Sequence, residues 1–124
     1  MAHMQVEIRP RRYQLVNASQ TAVPLVGPPS SLVNANQGRG TGSVDDYIEG
    51  VTIIPETTGA GTVTLIDSAP AGSAASSRSF NIFVSGTLQD LKPLYVPLGI
   101  RSQNGPWQIT TGSNVHVIAV GHFT

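Results

Sequence analysis

Cysteine is absent from this chain of 124 residues, and lysine occurs once. Without cysteine, a disulfide framework, a thiolate metal site and a thiol nucleophile are all excluded. Only 11% of the residues are charged, and seven basic residues balance seven acidic ones. Because nucleic acids and anionic membranes are bound by positively charged surfaces, we expect neither of them as a partner.

Long hydrophobic runs are also missing. The apolar run from Val115 to Gly121 is far shorter than the ~20 residues of a membrane-spanning helix, and the N-terminus shows no signal-peptide core. We therefore expect a domain that does not enter the membrane. Residues 1–4 have the form of an expression-tag remnant, because strand-like alternation begins only at Gln5. Residues 5–124 have the length of one domain whose core needs neither disulfides nor a metal.

The composition instead favours β-structure. Glycine occurs 13 times and proline 9 times, which is unfavourable for helices and typical of short strands joined by turns. Period-two alternation recurs in about eight short segments, and turn residues separate these segments at intervals of ~8–12 residues. The sequence therefore predicts an all-β domain, either an antiparallel β-sandwich or a jelly-roll-like barrel.

Two hairpins are predicted from neighbouring strand-like runs. The first joins residues 46–55 to residues 62–67 across a Gly- and Thr-rich turn, and the second joins residues 107–110 to residues 115–123.

Strand positions within a sheet are also predicted. Pro24 and Pro97 place their segments at sheet edges, because proline cannot donate a ladder hydrogen bond. Apolar side chains on both faces predict that residues 80–84 and the terminal strand lie inside a sheet.

The basic residues near the N-terminus form the one local charge cluster. Arg9, Arg11 and Arg12 flank Pro10, and we interpret them as a solvated edge or a contact between subunits. Residues 5–13 form a candidate N-terminal arm, which could add a strand to a neighbouring subunit or lie along its surface.

Residues 27–43 are rich in Gly, Pro, Ser and Asn and predict a long loop. Loops of more than ~12 residues tend to be functional or mobile, so this segment is a candidate binding surface. Arg39 is its charged residue. The flanking glycines lack the strand-to-helix setting of a phosphate-binding loop, so we retain Arg39 as a candidate interaction residue only.

Most of the aromatic residues occupy inward positions of the alternating pattern, which predicts that they belong to the core. Trp107 follows the turn-forming Asn-Gly-Pro and allows two interpretations, a core residue or an anchor for a partner. Tyr95, between two prolines, is a second candidate for a partner or a sugar ring.

No arrangement of residues indicates catalysis. His116 and His122 share a strand face but lie about 20 Å apart, too far to bind one metal ion. Serine is abundant, yet no Gly-x-Ser-x-Gly elbow is present, and Asp45 and Glu49 have too few aromatic neighbours for a glycosidase. We therefore expect a protein that is not an enzyme and has no metal or cofactor.

Three segments of the C-terminal half carry a resemblance to known proteins. They read Gly-Val-Thr-Ile-Ile-Pro at 50–55, Leu-Lys-Pro-Leu-Tyr-Val-Pro-Leu-Gly-Ile-Arg at 91–101 and Thr-Gly-Ser-Asn-Val at 111–115. In these patterns of turns and strands, residues 46–124 resemble small virion structural proteins of tailed bacteriophages. No functional motif accompanies the likeness, so it assigns no site residue.

The resemblance implies a protein of the virion, made in the host cytoplasm. It would be a capsid decoration (cement) protein or a tail-associated protein, built as a homo-oligomer, typically a trimer. Its partners would be the major capsid protein or another virion protein. The alternative is a carbohydrate- or receptor-binding domain of a tail or fibre protein, which would use Tyr95, Trp107 or residues 27–43 against host glycans.

Overall fold

The computed structural model describes residues 11–27, 41–69, 76–85 and 91–124. This part of the chain contains eight strands and no helix. The strands are β1 (Arg12–Val16), β2 (Val23–Pro24), β3 (Tyr47–Pro55), β4 (Val63–Asp67), β5 (Arg78–Phe83), β6 (Leu94–Arg101), β7 (Trp107–Thr111) and β8 (Val115–His122).

The strands form two four-stranded antiparallel sheets, which pack as a β-sandwich. Sheet A has the order β1-β8-β3-β6, and sheet B has the order β2-β7-β4-β5. The pairing is nested, because β1 pairs with β8, β2 with β7, β3 with β6, and β4 with β5. This is the strand order of a jelly roll in which the two sheets stay separate. The prediction of an all-β sandwich with about eight strands is confirmed.

The two predicted hairpins are wrong. β3 belongs to sheet A and β4 to sheet B, while β7 belongs to sheet B and β8 to sheet A. Each intervening turn therefore carries the chain from one sheet to the other. Among the described strands, β4 and β5 are the one consecutive pair that hydrogen-bonds. Turn residues between two apolar runs do not distinguish a hairpin from a connection between the two sheets, since both arrangements bury the same faces of the two strands.

The predictions of strand position have a mixed outcome. β2 and β6, which contain Pro24 and Pro97, are edge strands as predicted, and β8 lies inside sheet A as predicted. The interior position predicted for residues 80–84 is wrong, because β5 is the edge strand of sheet B. Phe80 on this strand remains 46% exposed.

The core lies between the sheets and is built from alternate residues of each strand. β8 shows the pattern most clearly, since Val115, Val117 and Ala119 are buried while the residues between them are partly exposed. Trp107 fills the core at one end and is 2% exposed. Its indole Nε1–H donates a hydrogen bond to the backbone carbonyl of Asp46 at 2.8 Å, so the polar edge of the ring is satisfied.

Two buried carboxylates organise the loops at this end of the sandwich. Asp46 accepts hydrogen bonds from the backbone N–H groups of Ser43 and Thr124, which connects the start of β3 to the last described residue. Asp67 accepts hydrogen bonds from three consecutive backbone N–H groups, those of residues 103–105. Charge-assisted bonds of this kind are roughly twice as strong as neutral ones, so these loops are firmly held.

The side of the sandwich formed by β1 and β2 is closed by an amide side chain. Gln14 Nε2 donates to the carbonyl of Pro24 at 2.9 Å, and Gln14 Oε1 accepts from the N–H of Val26 at 3.0 Å. The side chain thereby joins the edge of sheet A to the edge of sheet B. On the opposite side, where β5 and β6 are the edges, Asn104 Nδ2 donates to the carbonyl of Ser76 at 3.1 Å, which joins the segment after β6 to the segment before β5.

Candidate functional site

The outer face of sheet A carries a continuous apolar surface. Directly opposite residues of an antiparallel pair point to the same face, so the register defines rows that cross the sheet. One row runs through Leu15, Ile118, Thr52 and Tyr95, from the first strand of the sheet to the last. A second row begins with Tyr13 and Val120 and continues through Gly50 and Pro97.

Several side chains of these rows are strongly exposed. Tyr13 is 76% exposed, Leu15 51% and Tyr95 50%, while Ile118 and Val120 are partly buried by their neighbours. A contiguous group of large apolar side chains on a surface of this kind marks an interaction site more often than a solvated face. We refer to Tyr13, Leu15, Tyr95, Ile118 and Val120 as the apolar face.

The outer face of sheet B has a different character. Its outward positions are mostly polar and include the hydrogen-bonded pair Thr64 and Asn81, whose side chains approach to 3.0 Å. The other outward positions are Ser79, Gln108, Thr110 and two apolar residues, Pro24 and Ile66. Antiparallel sheets with one buried face normally show polar residues on the other, so sheet B follows the rule and sheet A departs from it.

Tyr95 lies flat on the apolar face because the residue beneath it is a glycine. A Cβ atom added to Gly50 would come within 2.6 Å of Tyr95 Cζ and 2.8 Å of the carbonyl oxygen of Val96. Any larger residue at this position would therefore displace the phenol ring.

An ion pair connects the start of β1 with β3, across the strand β8 that lies between them. Arg11 Nη1 donates to both carboxylate oxygens of Glu49, at 2.7 and 2.9 Å. Glu49 occupies a β-bulge between Ile48 and Gly50, where β3 has one residue more than β8. The hydrogen bond to Glu49, reinforced by its charge, raises the pKa of Arg11 above its usual value.

The sequence-predicted interaction residues fall into three groups. Arg11 is engaged by Glu49, and Arg12 is exposed at the start of β1, so residues 12 and 13 of the predicted N-terminal arm form part of sheet A. Tyr95 is exposed on the apolar face. Arg9 and Arg39, together with residues 28–40 of the predicted loop, lie outside the described residues.

Trp107 does not present its ring to solvent. Of the two interpretations of this residue, the structure supports the core position, because the ring is buried and its N–H is bonded within the protein. The general prediction of buried aromatics is wrong for Tyr13 and Phe80, which are substantially exposed.

Sequence reasoning missed the apolar face as a unit. Its signal was present in β8, where Ile118 and Val120 alternate with the buried valines. That pattern predicts a central strand, which is correct, but it also indicates two adjacent apolar positions, Ile118 and Val120, on the outward face between His116 and His122. Register alone shows that Tyr13 and Leu15 extend the same surface.

The two histidines of β8 have separate environments. His116 Nδ1 accepts a hydrogen bond from the N–H of Ala18 at 3.1 Å, and its Nε2 faces Glu56 Oε1. The His122 ring lies 5.9 Å from the ring of Tyr47. Within the described ranges, no three His, Cys, Asp or Glu side chains are grouped so as to hold a metal ion.

A second candidate site is a cleft at the open side of the sandwich, between the edge strands β5 and β6. Its volume is about 610 Å³, and Trp107 lies among its lining residues. Arg78 and Phe80 contribute from β5, while Ile100 and Arg101 contribute from β6. We refer to it as the edge cleft.

Comparison with known proteins does not assign the chain to a family. The chain matches no protein-family model, no curated protein and no solved structure. In the portion of the chain that the structure describes, no helix has the length and hydrophobicity to span a bilayer.

Proposed function

We propose that this protein is a capsid decoration protein of a tailed bacteriophage, which forms a homotrimer and stabilises the head through protein–protein contacts. The observation that carries the assembly role is the contrast between the two outer faces of the sandwich. The outer face of sheet A presents Tyr13, Leu15 and Tyr95 to solvent, whereas that of sheet B presents Thr64 and Asn81. Burying the apolar face against another subunit removes this surface from water.

The size of the apolar face favours several weak contacts over one tight pair. Four strands spaced at ~4.8 Å and about five residues of ~3.3 Å each define a surface of roughly 300 Å² in projection. A standard interface buries about 800 Å² on each partner. The face therefore provides only a part of a stable interface, and it suits an assembly in which many copies act together.

Two of the four edge strands of the sandwich, β2 and β6, carry residues that oppose strand pairing. Pro24 lies in the edge strand β2, and Pro97 lies in the edge strand β6, where it cannot donate a ladder hydrogen bond. Gly99, with a φ angle of 64°, further interrupts β6. Such edges oppose open-ended aggregation, so a closed assembly through the outer face of sheet A is favoured.

Two considerations support the phage setting of this assembly. Residues 46–124 resemble small virion structural proteins of tailed bacteriophages, and the jelly-roll order is common in viral capsid domains. The second consideration is an analogy at the level of the fold, which hosts many functions. The exposed apolar residues of sheet A, which support the contact surface, are independent of the resemblance and of the fold analogy.

The experiment compares the wild type with Leu15→Lys, which places a charge in the apolar face, and with Thr64→Lys, a matched change on the outer face of sheet B. Light scattering behind a sizing column measures the mass, and co-sedimentation measures binding to undecorated phage heads. We expect a trimer that binds heads, unaffected by Thr64→Lys and reduced at least tenfold in binding by Leu15→Lys. A monomeric wild type that leaves heads undecorated would refute the proposal, and so would equal effects of both substitutions.

A further inference from the structure

We propose that the edge cleft binds a neutral saccharide, and that the protein therefore has a second surface, distinct from its assembly contact. The apolar face lies on the outside of sheet A, whereas the edge cleft opens between the two sheets. Its volume of about 610 Å³ is within the range of small-molecule sites.

The first argument is that inward-pointing apolar residues remain in solvent at this cleft. Phe80 lies opposite Leu65, and Ile100 lies opposite Ile48, so both side chains belong to the faces that point between the sheets. Nevertheless Phe80 is 46% exposed and Ile100 42%. They mark an entrance to the interior on this side, while Gln14 closes the other side.

The second argument concerns the polar groups around these apolar walls. Arg78 begins β5 and is exposed, and it forms no ion pair with the residues that the structure describes. Arg101 is held in place, because its Nη1 donates to the carbonyl of Asp45 at 3.3 Å and its guanidinium lies 5.8 Å from the centre of the Tyr47 ring. The guanidinium of Arg78 is thus available to a ligand, whereas Arg101, opposite Tyr47 on the outer side of β6, forms part of the rim of the cleft.

The charge balance of the cleft favours a neutral ligand. Its lining contains two arginines, Arg78 and Arg101, and two aspartates, Asp45 and Asp67. Asp67 is already engaged by three backbone N–H groups and is buried. The positive and negative side chains of the lining cancel, so the cleft has no net charge that would attract a strongly charged molecule.

A saccharide matches this combination of groups. Sugar hydroxyls form paired hydrogen bonds with planar polar side chains such as the guanidinium of Arg78 and the amide of Gln103. The C–H groups of a pyranose ring pack on an aromatic side chain, and Phe80 offers a partly exposed ring at the entrance.

The cleft is also preorganised for binding. Asp67 fixes the backbone of residues 103–105, and Gln103 of this segment forms one wall of the cleft together with Ser102 and the buried Trp107. A rigid wall lowers the entropic cost of binding, which permits weak but specific recognition of a small ligand.

The test is a titration of the isotope-labelled full chain, followed by amide chemical shifts in NMR. The probes are glucose, galactose, N-acetylglucosamine and their 1→4-linked disaccharides, each added alone. We expect at least one probe to shift residues of β5 and β6 and the amides of Ser102 and Gln103, with a dissociation constant of about 1 mM, the weak end for specific ligands. Phe80→Ala and Arg78→Ala should each weaken binding about tenfold.

The matched control is Ser79→Ala, which lies on the same strand but points to the outer face of sheet B and should bind as the wild type does. The amide spectrum of each variant reports directly whether it is folded. Absence of shifts with every probe would overturn the proposal, as would shifts centred on Tyr95 and the apolar face. Because the assembly test uses head binding and mass, failure of either proposal is recognised separately.

Discussion

Gln14 supplies Val26 with the hydrogen bond that a neighbouring strand would otherwise provide. The side-chain carbonyl of Gln14 accepts the N–H of Val26, while its NH₂ group donates to the carbonyl of Pro24. The chain just after β2 lies at the edge of the sandwich, so these groups would otherwise depend on water. One amide side chain on β1, the edge strand of sheet A, therefore holds the chain just after β2, the edge strand of sheet B.

Replacing Gln14 with Ala removes both hydrogen bonds and opens this side of the sandwich. We expect the free energy of unfolding to fall by about 1–3 kcal/mol, since the part-buried N–H of Val26 loses its acceptor and the exposed carbonyl of Pro24 loses its donor. Urea denaturation followed by circular dichroism measures the change. Gln20→Ala is the control, because Gln20 is exposed and uses only backbone groups in its contacts with Thr111. Equal effects of the two substitutions would contradict the bridging role.

Asp67→Asn tests the wall of the edge cleft. The substitution keeps the shape of the side chain but replaces one acceptor oxygen with an NH₂ group that faces backbone donors of residues 103–105. We expect a loss of about 2–4 kcal/mol in unfolding free energy, because buried donors lose a charged acceptor. Asp45→Asn, at an exposed position with positive φ that asparagine tolerates, should change stability by less than about 0.5 kcal/mol. A stable Asp67→Asn protein would show that the wall does not depend on this carboxylate.

Trp107 is the single tryptophan, so its fluorescence reports the core directly. Because the indole ring is 2% exposed, the native emission should be shifted to the blue relative to the unfolded protein and should resist quenching by iodide. Unfolding in urea should abolish both properties. Strong iodide quenching of the native protein would restore the interpretation of Trp107 as an anchor for a partner.

The tautomer of His116 follows from its two contacts. Nδ1 accepts a hydrogen bond from Ala18, so the ring proton belongs on Nε2, which faces Glu56. Nitrogen-15 chemical shifts in mildly alkaline buffer should identify this tautomer, and Glu56→Gln should preserve it. Finding the proton on Nδ1 would contradict the contact with Ala18.

The strands themselves were predictable because alternation is a local property. β8 was correctly placed inside a sheet from its apolar residues, and the proline-containing strands β2 and β6 were correctly placed at edges. Pairing was not predictable in the same way. The turn between β3 and β4 has a composition that suits a hairpin, but it connects two sheets, and the partners of each strand lie far along the chain.

The functional surfaces were predicted less well, since both depend on these distant pairings. Leu15 and Tyr95 share a face only because β8 and β3 lie between their strands. Phe80 was assigned to the interior because its strand is apolar on both faces, yet the strand is an edge whose inward residues border the edge cleft. A local pattern cannot distinguish a buried position from the entrance of a cleft.

The position of β8 also constrains how the protein is made. It is the last strand in the described chain, yet it lies between β1 and β3 in sheet A. During synthesis, β1 therefore has no partner in sheet A until β8, about a hundred residues later in the chain, has been made. The register between Arg12 and Gly121 forms only after both residues have left the ribosome. Such distant pairing slows folding, and the edges of β1 and β3 that face β8 stay unpaired until that strand has been synthesised.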